Sequence, residues 1–194
     1  WHNIGVVCMK KQDFDQAIKV FQKVIEIKPD SYGAWYNLGN ANYEKGQLDI
    51  AIDAYQNALG IKQDFHEALL GLGNTYAEMG DFNLAFTVFQ KALDLKQDEG
   101  DIYGNWGFAL FKQKKLLEAE QLLLKAISNG SINYGNMNLG HVYLAKNEKE
   151  KALDCYRKSI KSFNETEEFW RGIKGDFKYL EKYGVTRNQF DEIL

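Results

Sequence analysis

An all-α array of stacked helix pairs is the fold class this sequence predicts, and three observations predict it. A glycine recurs as Gly5, Gly39, Gly73, Gly107 and Gly140, at steps of 34, 34, 34 and 33 residues. An alanine follows each glycine by twelve residues, as Ala17, Ala51, Ala85, Ala119 and Ala152. Both recur inside stretches whose apolar residues return at helical rather than alternating spacing. A fixed period of this length marks units that each bury an apolar face against the next.

The stretch 34–64, AWYNLGNANYEKGQLDIAIDAYQNALGIKQD, shows one unit clearly. A first helix over 32–45 carries Trp35, Leu38 and Tyr43 on its apolar side, and Gly46 suits the left-handed residue that commonly ends a helix. A second helix over 48–60 lines up Ile50, Ala51, Ala54, Tyr55 and Ala58. Before this unit, Pro29, Asp30 and Ser31 stop one helix and start the next. The same scheme places helix pairs near 1–11 and 14–27, 66–79 and 82–95, 100–113 and 116–128, and 133–146 and 149–162. Five repeats result, at about 1–31, 32–65, 66–99, 100–132 and 133–165, forming an array over 1–163. Ser128, Asn129, Gly130 and Ser131 make a Gly/Ser/Asn-rich junction where the period loses one residue. A change of pitch is expected there rather than a domain boundary.

Glycine inside a helix costs about 1 kcal/mol relative to alanine, so five such glycines need a packing reason. Gly39 is expected to face Ala51 and Ala58 with no side chain between, while Tyr55 and its equivalents Phe21, Phe89, Leu123 and Tyr156 fill space towards the next unit. The segment 166–183 leaves the period. Phe169, Trp170, Ile173, Phe177 and Leu180 form one stripe, with Arg171, Lys174, Lys178, Glu181 and Lys182 off it. This predicts a C-terminal capping helix with one wet face. A capping box, Thr186 with Gln189, then starts a short helix to Leu194, so 166–194 is cap plus terminal helix.

These repeats resemble the tetratricopeptide repeat family, whose pattern runs Trp, Leu-Gly, Tyr, Ala, Phe, Ala, Pro. The first repeat matches as Trp1, Ile4-Gly5, Cys8, Ala17, Phe21, Val24 and Pro29. The third has Leu69, Leu72-Gly73, Tyr76, Ala85, Phe89 and Ala92, with Gln97 in place of proline. The fourth has Tyr103, Trp106-Gly107, Leu110, Ala119, Leu123 and Ala126. The fifth has Asn136, Leu139-Gly140, Tyr143, Ala152, Tyr156 and Ser159. The resemblance implies a right-handed superhelical array of antiparallel helix pairs, an α-solenoid, whose first helices line a concave groove.

Composition excludes several function classes. A net charge of −3 with 26% charged residues leaves no electrostatic footprint for nucleic acid or an anionic membrane. Lys112, Lys114 and Lys115 form the densest basic run and fall in a turn. No apolar run reaches the length of a membrane span, no signal peptide is visible, and a cytoplasmic location is expected. The chain opens at Trp1 in the register of Trp35, so a larger parent protein is expected. Cys8 and Cys155 fall in the first and fifth repeats and read as reduced, buried thiols without a disulfide. His2, His66 and His141 lie in three different repeats with no second ligand at helical spacing, so neither a metal nor a cofactor is expected. No phosphate loop, nucleophile elbow or His/Cys pairing occurs, and the chain is not read as an enzyme.

The resemblance also implies where a ligand sits. The groove positions of the first helices carry Asn3, Tyr36, Asn37, Asn40, Tyr43, Asn74, Asn105, Phe108, Phe111, Asn138 and His141. Asn3, Asn37, Asn105 and Asn138 hold one position in four of the five repeats. A side-chain amide offers a donor and an acceptor, matching one peptide unit of a bound chain, and aromatic side chains around it are enriched at binding surfaces. The alternative is a row of solvated asparagines. Cochaperone members of the family clamp an acidic C-terminus through lysines, an arginine and asparagines. Here Asn37, Asn40 and Asn74 are present, but the matching basic positions hold Tyr36, Glu67, Gly71, Asp101 and Asn105. A carboxylate would be desolvated without a cation, so a neutral or basic apolar ligand is expected.

The function expected is a non-catalytic protein–protein interaction module, or scaffold, that binds a peptide or protein segment in its groove. Two alternatives stand beside it. One is the substrate-recruiting repeat region of a larger enzyme such as a glycosyltransferase; the other is a scaffold self-assembling through the open N-terminal repeat.

Overall fold

Left-handed residues punctuate the backbone at the repeat period. Gln12 (φ 60°), Gly46 (73°), Gly80 (89°), Lys114 (64°) and Asn147 (61°) each occupy the turn between the two helices of a pair. Two of the five are glycine; the other three hold a conformation that costs a side-chain-bearing residue about 1–2 kcal/mol. Gln12→Gly is therefore expected to stabilise the first pair by up to about 1 kcal/mol, once glycine's extra unfolded-state entropy is subtracted. A thermal melt reads this as a rise of a few degrees; a fall would show that the glutamine side chain contributes more than its backbone costs.

A computed structural model describes residues 1–95, 99–162 and 166–183, with Thr186 and Asn188; within 166–183 the side chains are described from 171 onward. Among the described residues the chain is all α, with no strand. Its helices are α1 (His2–Lys10), α2 (Phe14–Ile27), α3 (Tyr32–Glu44), α4 (Leu48–Ile61), α5 (His66–Met79), α6 (Phe82–Asp94), α7 (Glu99–Lys112), α8 (Leu116–Ser128), α9 (Ile132–Ala145), α10 (Lys149–Ser162) and α11 (Thr166–Leu180), followed by a 3-10 turn, Glu181–Tyr183. The ten array helices begin and end within one residue of the predicted bounds.

The chain divides into two compact units, Trp1–Gln97 and Asp98–Leu194. In the first, α1 to α6 form three consecutive helix pairs. Each helix packs on the next, and first helices also touch one another, α1 on α3 and α3 on α5. In the second, α7 with α8 and α9 with α10 repeat the arrangement, and α11 packs on α9 and α10.

The packing differs from the expectation at the recurrent glycines. Gly39 does not meet Ala51 and Ala58 across an empty seam, because the Tyr55 ring lies between the helices. A Cβ on Gly39 would stand 2.6 Å from Tyr55 Cε1. The same placement holds for Gly5 and Phe21 (2.5 Å), Gly73 and Phe89 (2.5 Å), Gly107 and Leu123 (2.8 Å), and Gly140 and Tyr156 (2.4 Å). Each glycine is a socket for the large residue sixteen positions later, and the recurrent alanines Ala17, Ala51, Ala85, Ala119 and Ala152 are fully buried. Tyr55 also reaches the following pair, where a Cβ on Gly71 would stand 2.7 Å from it. The core of the first unit is built around these rings, with Ala17, Phe21, Leu38, Ala41 and Ala54 in one cluster and Ala51, Tyr55, Ala58, Phe65, Ala68 and Leu72 in another.

Both cysteines are free thiols. Cys155 is buried as expected, whereas Cys8 is only half-buried, because it lies at the edge of its cluster. In α11 the stripe is present: Ile173, Phe177 and Leu180 are buried, while Arg171, Lys174 and Lys178 are exposed, as are Glu181 and Lys182 just beyond. The side chains of Phe169 and Trp170, and all but Thr186 and Asn188 of the predicted terminal helix, lie outside the described residues. No helix among the described residues is long and apolar enough to cross a membrane.

Candidate functional site

The predicted positions all fall on the first helices, and each unit presents its own first-helix face. In the first unit this face is built by α1, α3 and α5. Tyr36, Asn40 and Tyr43 are spaced four and three residues apart and so share one side of α3, with Asn37 beside them. Tyr36, Asn37, Asn40, Tyr43 and Asn74 are all half-buried, and Asn3 is exposed. Tyr36 is fixed by two rings, Phe65 edge-on at 5.1 Å and Tyr55 at 6.0 Å. The Tyr55 side chain starts on α4, passes between Gly39 and Gly71, and its hydroxyl donates to Asn40 Oδ1 at 2.7 Å. Burial raises the Tyr55 pKa far above the ordinary value, so the hydroxyl stays a neutral donor. Asn40 is thus anchored from behind, and its amide has a set orientation on the face. Sequence reasoning placed Tyr55 in the core and missed this second role, for which the small residue at Gly71, one period below Asn37, was the available signal.

In the second unit the corresponding face belongs to α7 and α9. Asn105 and Phe108 are half-buried there, but Phe111, Asn138 and His141 are buried. Phe108 and Phe111 stack at 5.7 Å. His141 lies among Phe111 (6.1 Å), Phe108 (6.4 Å) and Tyr156 (5.7 Å). Neither ring nitrogen of His141 has a hydrogen-bond partner among the described residues. Burial alone pushes its pKa down to about 3, so the imidazole is neutral.

The chain itself covers this face. Tyr179 of α11 meets Phe108 edge-on at 5.5 Å, and Tyr183 of the 3-10 turn stacks on Phe111 at 5.0 Å. The Tyr183 hydroxyl donates to the Phe111 carbonyl oxygen, and burial pushes its pKa up to about 12. Gly172 sits over Met137, where a Cβ would be 3.2 Å from the Met137 Cε. In consequence α9 is buried continuously from Gly135 to Val142, all round the helix. Tyr179 and Tyr183 were not among the predicted site residues; their spacing of four, beside the Ile173, Phe177 and Leu180 stripe, was the sequence signal for them.

Away from this face, a cleft of about 770 Å³ is lined by side chains of α8, α9 and α10, among them Leu124, Leu139, Cys155, Lys158 and Lys161. Burial pushes the Cys155 thiol up to about 11, so it is protonated at neutral pH and a poor nucleophile. Among the described residues no group of three or more His, Cys, Asp or Glu side chains could hold a metal ion. Tyr143 donates to Glu120 at 3.0 Å, and Lys146 bridges Glu120 and Glu148 at 2.8 and 3.0 Å, joining the ends of neighbouring helices. These groups form structural pairs at the helix ends.

Family models for the TPR repeat match residues 5–46 and 39–80, and models for the tetratricopeptide repeat match 66–99 and 135–165. Solved structures share the fold at low identity. A thermophilic TPR protein of Thermus thermophilus superposes with a TM-score of 0.79 at 16% identity, over 91% of this chain and 96% of that one. MamA superposes at 0.63 with 22% identity, over 83% and 95% of the two chains. YrrB, described as a TPR protein with an unusual peptide-binding site, superposes at 0.56 with 21% identity, over 89% and 90%. At these identities the likeness is one of fold alone. No curated protein sequence matches the chain.

Proposed function

Since the chain belongs to the tetratricopeptide repeat family, we propose that it is a non-catalytic interaction module whose first unit binds a segment of another protein on its first-helix face. The observation that carries this reading is the half-exposed set Tyr36, Asn37, Asn40, Tyr43 and Asn74, gathered on α3 and α5. Amides can pair with the N–H and C=O groups of a bound backbone, and the tyrosines offer flat apolar area at little entropic cost. The anchored Asn40 loses no freedom when it binds, which favours affinity. Five repeats over 1–163, with 166–194 as the cap, are the domain layout that accompanies this proposal. Glu67, exposed at the start of α5, favours a neutral or basic segment over an acidic one.

The test is a selection of displayed peptides on the full chain, repeated with Asn37→Ala. The selected peptides are expected to lose about tenfold in affinity, or about 1.4 kcal/mol, with a melting temperature that stays put. Peptides that ignore Asn37→Ala would sink the reading.

A second reading has its own observation. Trp1, Ile4 and Val7 are exposed by 65%, 51% and 49% at spacings of three along α1. An apolar strip of this kind suits cover by another helix, and a second copy of the chain is one source of it. A light-scattering series that stays monomeric through the high-micromolar range removes this reading.

A further inference from the structure

We infer that the exposed side of α8, together with the cleft between α8 and α10, is a docking surface for an amphipathic helix of another protein. That helix is acidic in its first turn and basic in its last, and it lies antiparallel to α8 and α10. The surface shares no residue with the first-helix face of the first unit, so the inference stands apart from the proposed function.

The repeat period exposes an anomaly on α8. Two residues before the recurrent alanine, four repeats carry Asp15, Asp49, Asn83 and Glu150, and α8 carries Leu117. Five residues after it, four repeats carry Gln22, Gln56, Gln90 and Arg157, and α8 carries Leu124. The two leucines are seven residues apart and so share one side of the helix. Leu117 is 67% exposed and Leu124 49%. Stacking does not require apolar residues at these positions, since the other four repeats stack with polar ones. Leucines left in water where the array elsewhere keeps charges and amides mark a surface made to be covered.

Beside Leu124 the surface deepens into the cleft of about 770 Å³. Ile127, Ile132, Leu139 and Cys155 continue the apolar lining. The volume falls within the range of specific binding clefts, about 300–1,000 Å³. The α10 wall runs from Glu150 to Lys161, about 16 Å or three turns of helix, a length that suits a short helical segment with apolar anchors on one side.

Charge selects the occupant. The ionised side chains of the lining are Glu150, Lys151, Asp154, Lys158 and Lys161, all on α10. Lys151 pairs with Glu148 and Lys158 with Asp154, which leaves Glu150 at one end and Lys161 at the other. Ser159 donates to the Asn133 carbonyl oxygen at 2.8 Å, so the Lys161 end lies by the start of α9. On α8, exposed Lys115 and Glu118 offset each other near Leu117, while exposed Lys125 adds a cation beside Leu124. A helix with its first turn by Lys161 and its last by Glu150 brings opposite charges together at both ends when that first turn is acidic and the last basic. The same order complements the helix's own macrodipole. The apolar strip of α1 has no acid in its first turn, so a second copy does not meet this requirement.

The probe is a labelled synthetic helix with leucines at i, i+4 and i+7, glutamates in its first turn and lysines in its last, titrated into the full chain. Saturable binding is expected. Leu117→Asn with Leu124→Gln, which restores the residue types of the other repeats, is expected to weaken it about tenfold while the melting temperature stays put. Glu150→Lys with Lys161→Glu is expected to weaken it about fivefold and to turn the preference to a peptide with its glutamates and lysines exchanged. Absence of saturable binding, indifference to either pair of substitutions, or unfolding of the leucine variant would each overturn the inference. So would light scattering in which the free chain dimerises through these leucines, because the surface would then belong to a second copy. Asn37→Ala is expected to leave the binding unchanged, so this inference and the proposed function fail independently. A peptide released by Asn37→Ala sits on the first-unit face instead and overturns the docking surface on α8.

Discussion

Tyr55→Ala is expected to destabilise the first unit by about 3–5 kcal/mol, the range for deleting a large buried aromatic ring. A domain of this kind holds about 5–15 kcal/mol in total, so much of the unit's stability depends on one side chain. Tyr55 is 2% exposed, fills the socket at Gly39, touches Gly71 and holds Asn40. Tyr55→Phe removes only the hydroxyl and is expected to cost about 1 kcal/mol. Gly39→Ala tests the socket from the other side. Helix propensity favours the alanine by about 1 kcal/mol, but the new Cβ would stand 2.6 Å from the ring. Forced repacking of this kind costs about 1–3 kcal/mol, so the net change is expected to be destabilising. Urea unfolding of the three variants is expected to show Tyr55→Ala as the most damaged, with Gly39→Ala and Tyr55→Phe well below it. A Tyr55→Ala variant that loses less than about 1 kcal/mol, the size of one ordinary hydrogen bond, would show that the ring does not hold the stack together.

Mild acid is expected to weaken the second unit through His141. The folded pKa lies near 3 and the ordinary value is 6.5, so between these limits the unfolded chain binds a proton that the folded chain excludes. Stability is complete above pH 6.5 and falls as pH drops towards 3, by up to about 1.4 kcal/mol for each pH unit. The interval from about pH 6.5 to 5 lies above the range where Asp15 and Glu148, both held low by lysine partners, take up protons. Within that interval His141→Phe is expected to flatten the dependence. The phenyl ring keeps the contacts with Phe108, Phe111 and Tyr156 and removes two buried nitrogens, so the variant should be at least as stable at neutral pH. Urea midpoints at pH 7, 6 and 5 for both proteins make the comparison. Parallel curves would show that the histidine does not set the acid response.

Periodicity made the array legible because its cause is local. Each first helix needs a small residue where its partner's large side chain enters, and that requirement repeats with the unit, so Gly39 and Ala51 announce themselves through their copies. What enters the socket was harder to read. A glycine signals a close approach without naming its partner, and the alanines of the second helix were as plausible as Tyr55. The candidate positions on α3 were readable for the same reason as the glycines, since register transfers along the array. On α7 and α9 register gave the right face but not its surroundings. His141 and Phe111 stand at the positions equivalent to Asn40 and Tyr43, yet both are buried, because α11 carries no repeat that would tell where it docks. An apolar stripe says that one side of a helix must be covered and is silent about the covering surface.

The sockets also set the order in which the molecule assembles. Every socket glycine and the large residue that fills it are sixteen positions apart in the chain, so each pair can lock with a short loop closure. The bond from Tyr183 to Phe111 joins residues 72 apart. Closing that longer loop carries an entropic penalty about 1.3 kcal/mol greater, and it cannot be recovered until α7 and α9 are already in place. The helix pairs are therefore expected to form early, and the Tyr183 clasp to close once α7 and α9 are in place.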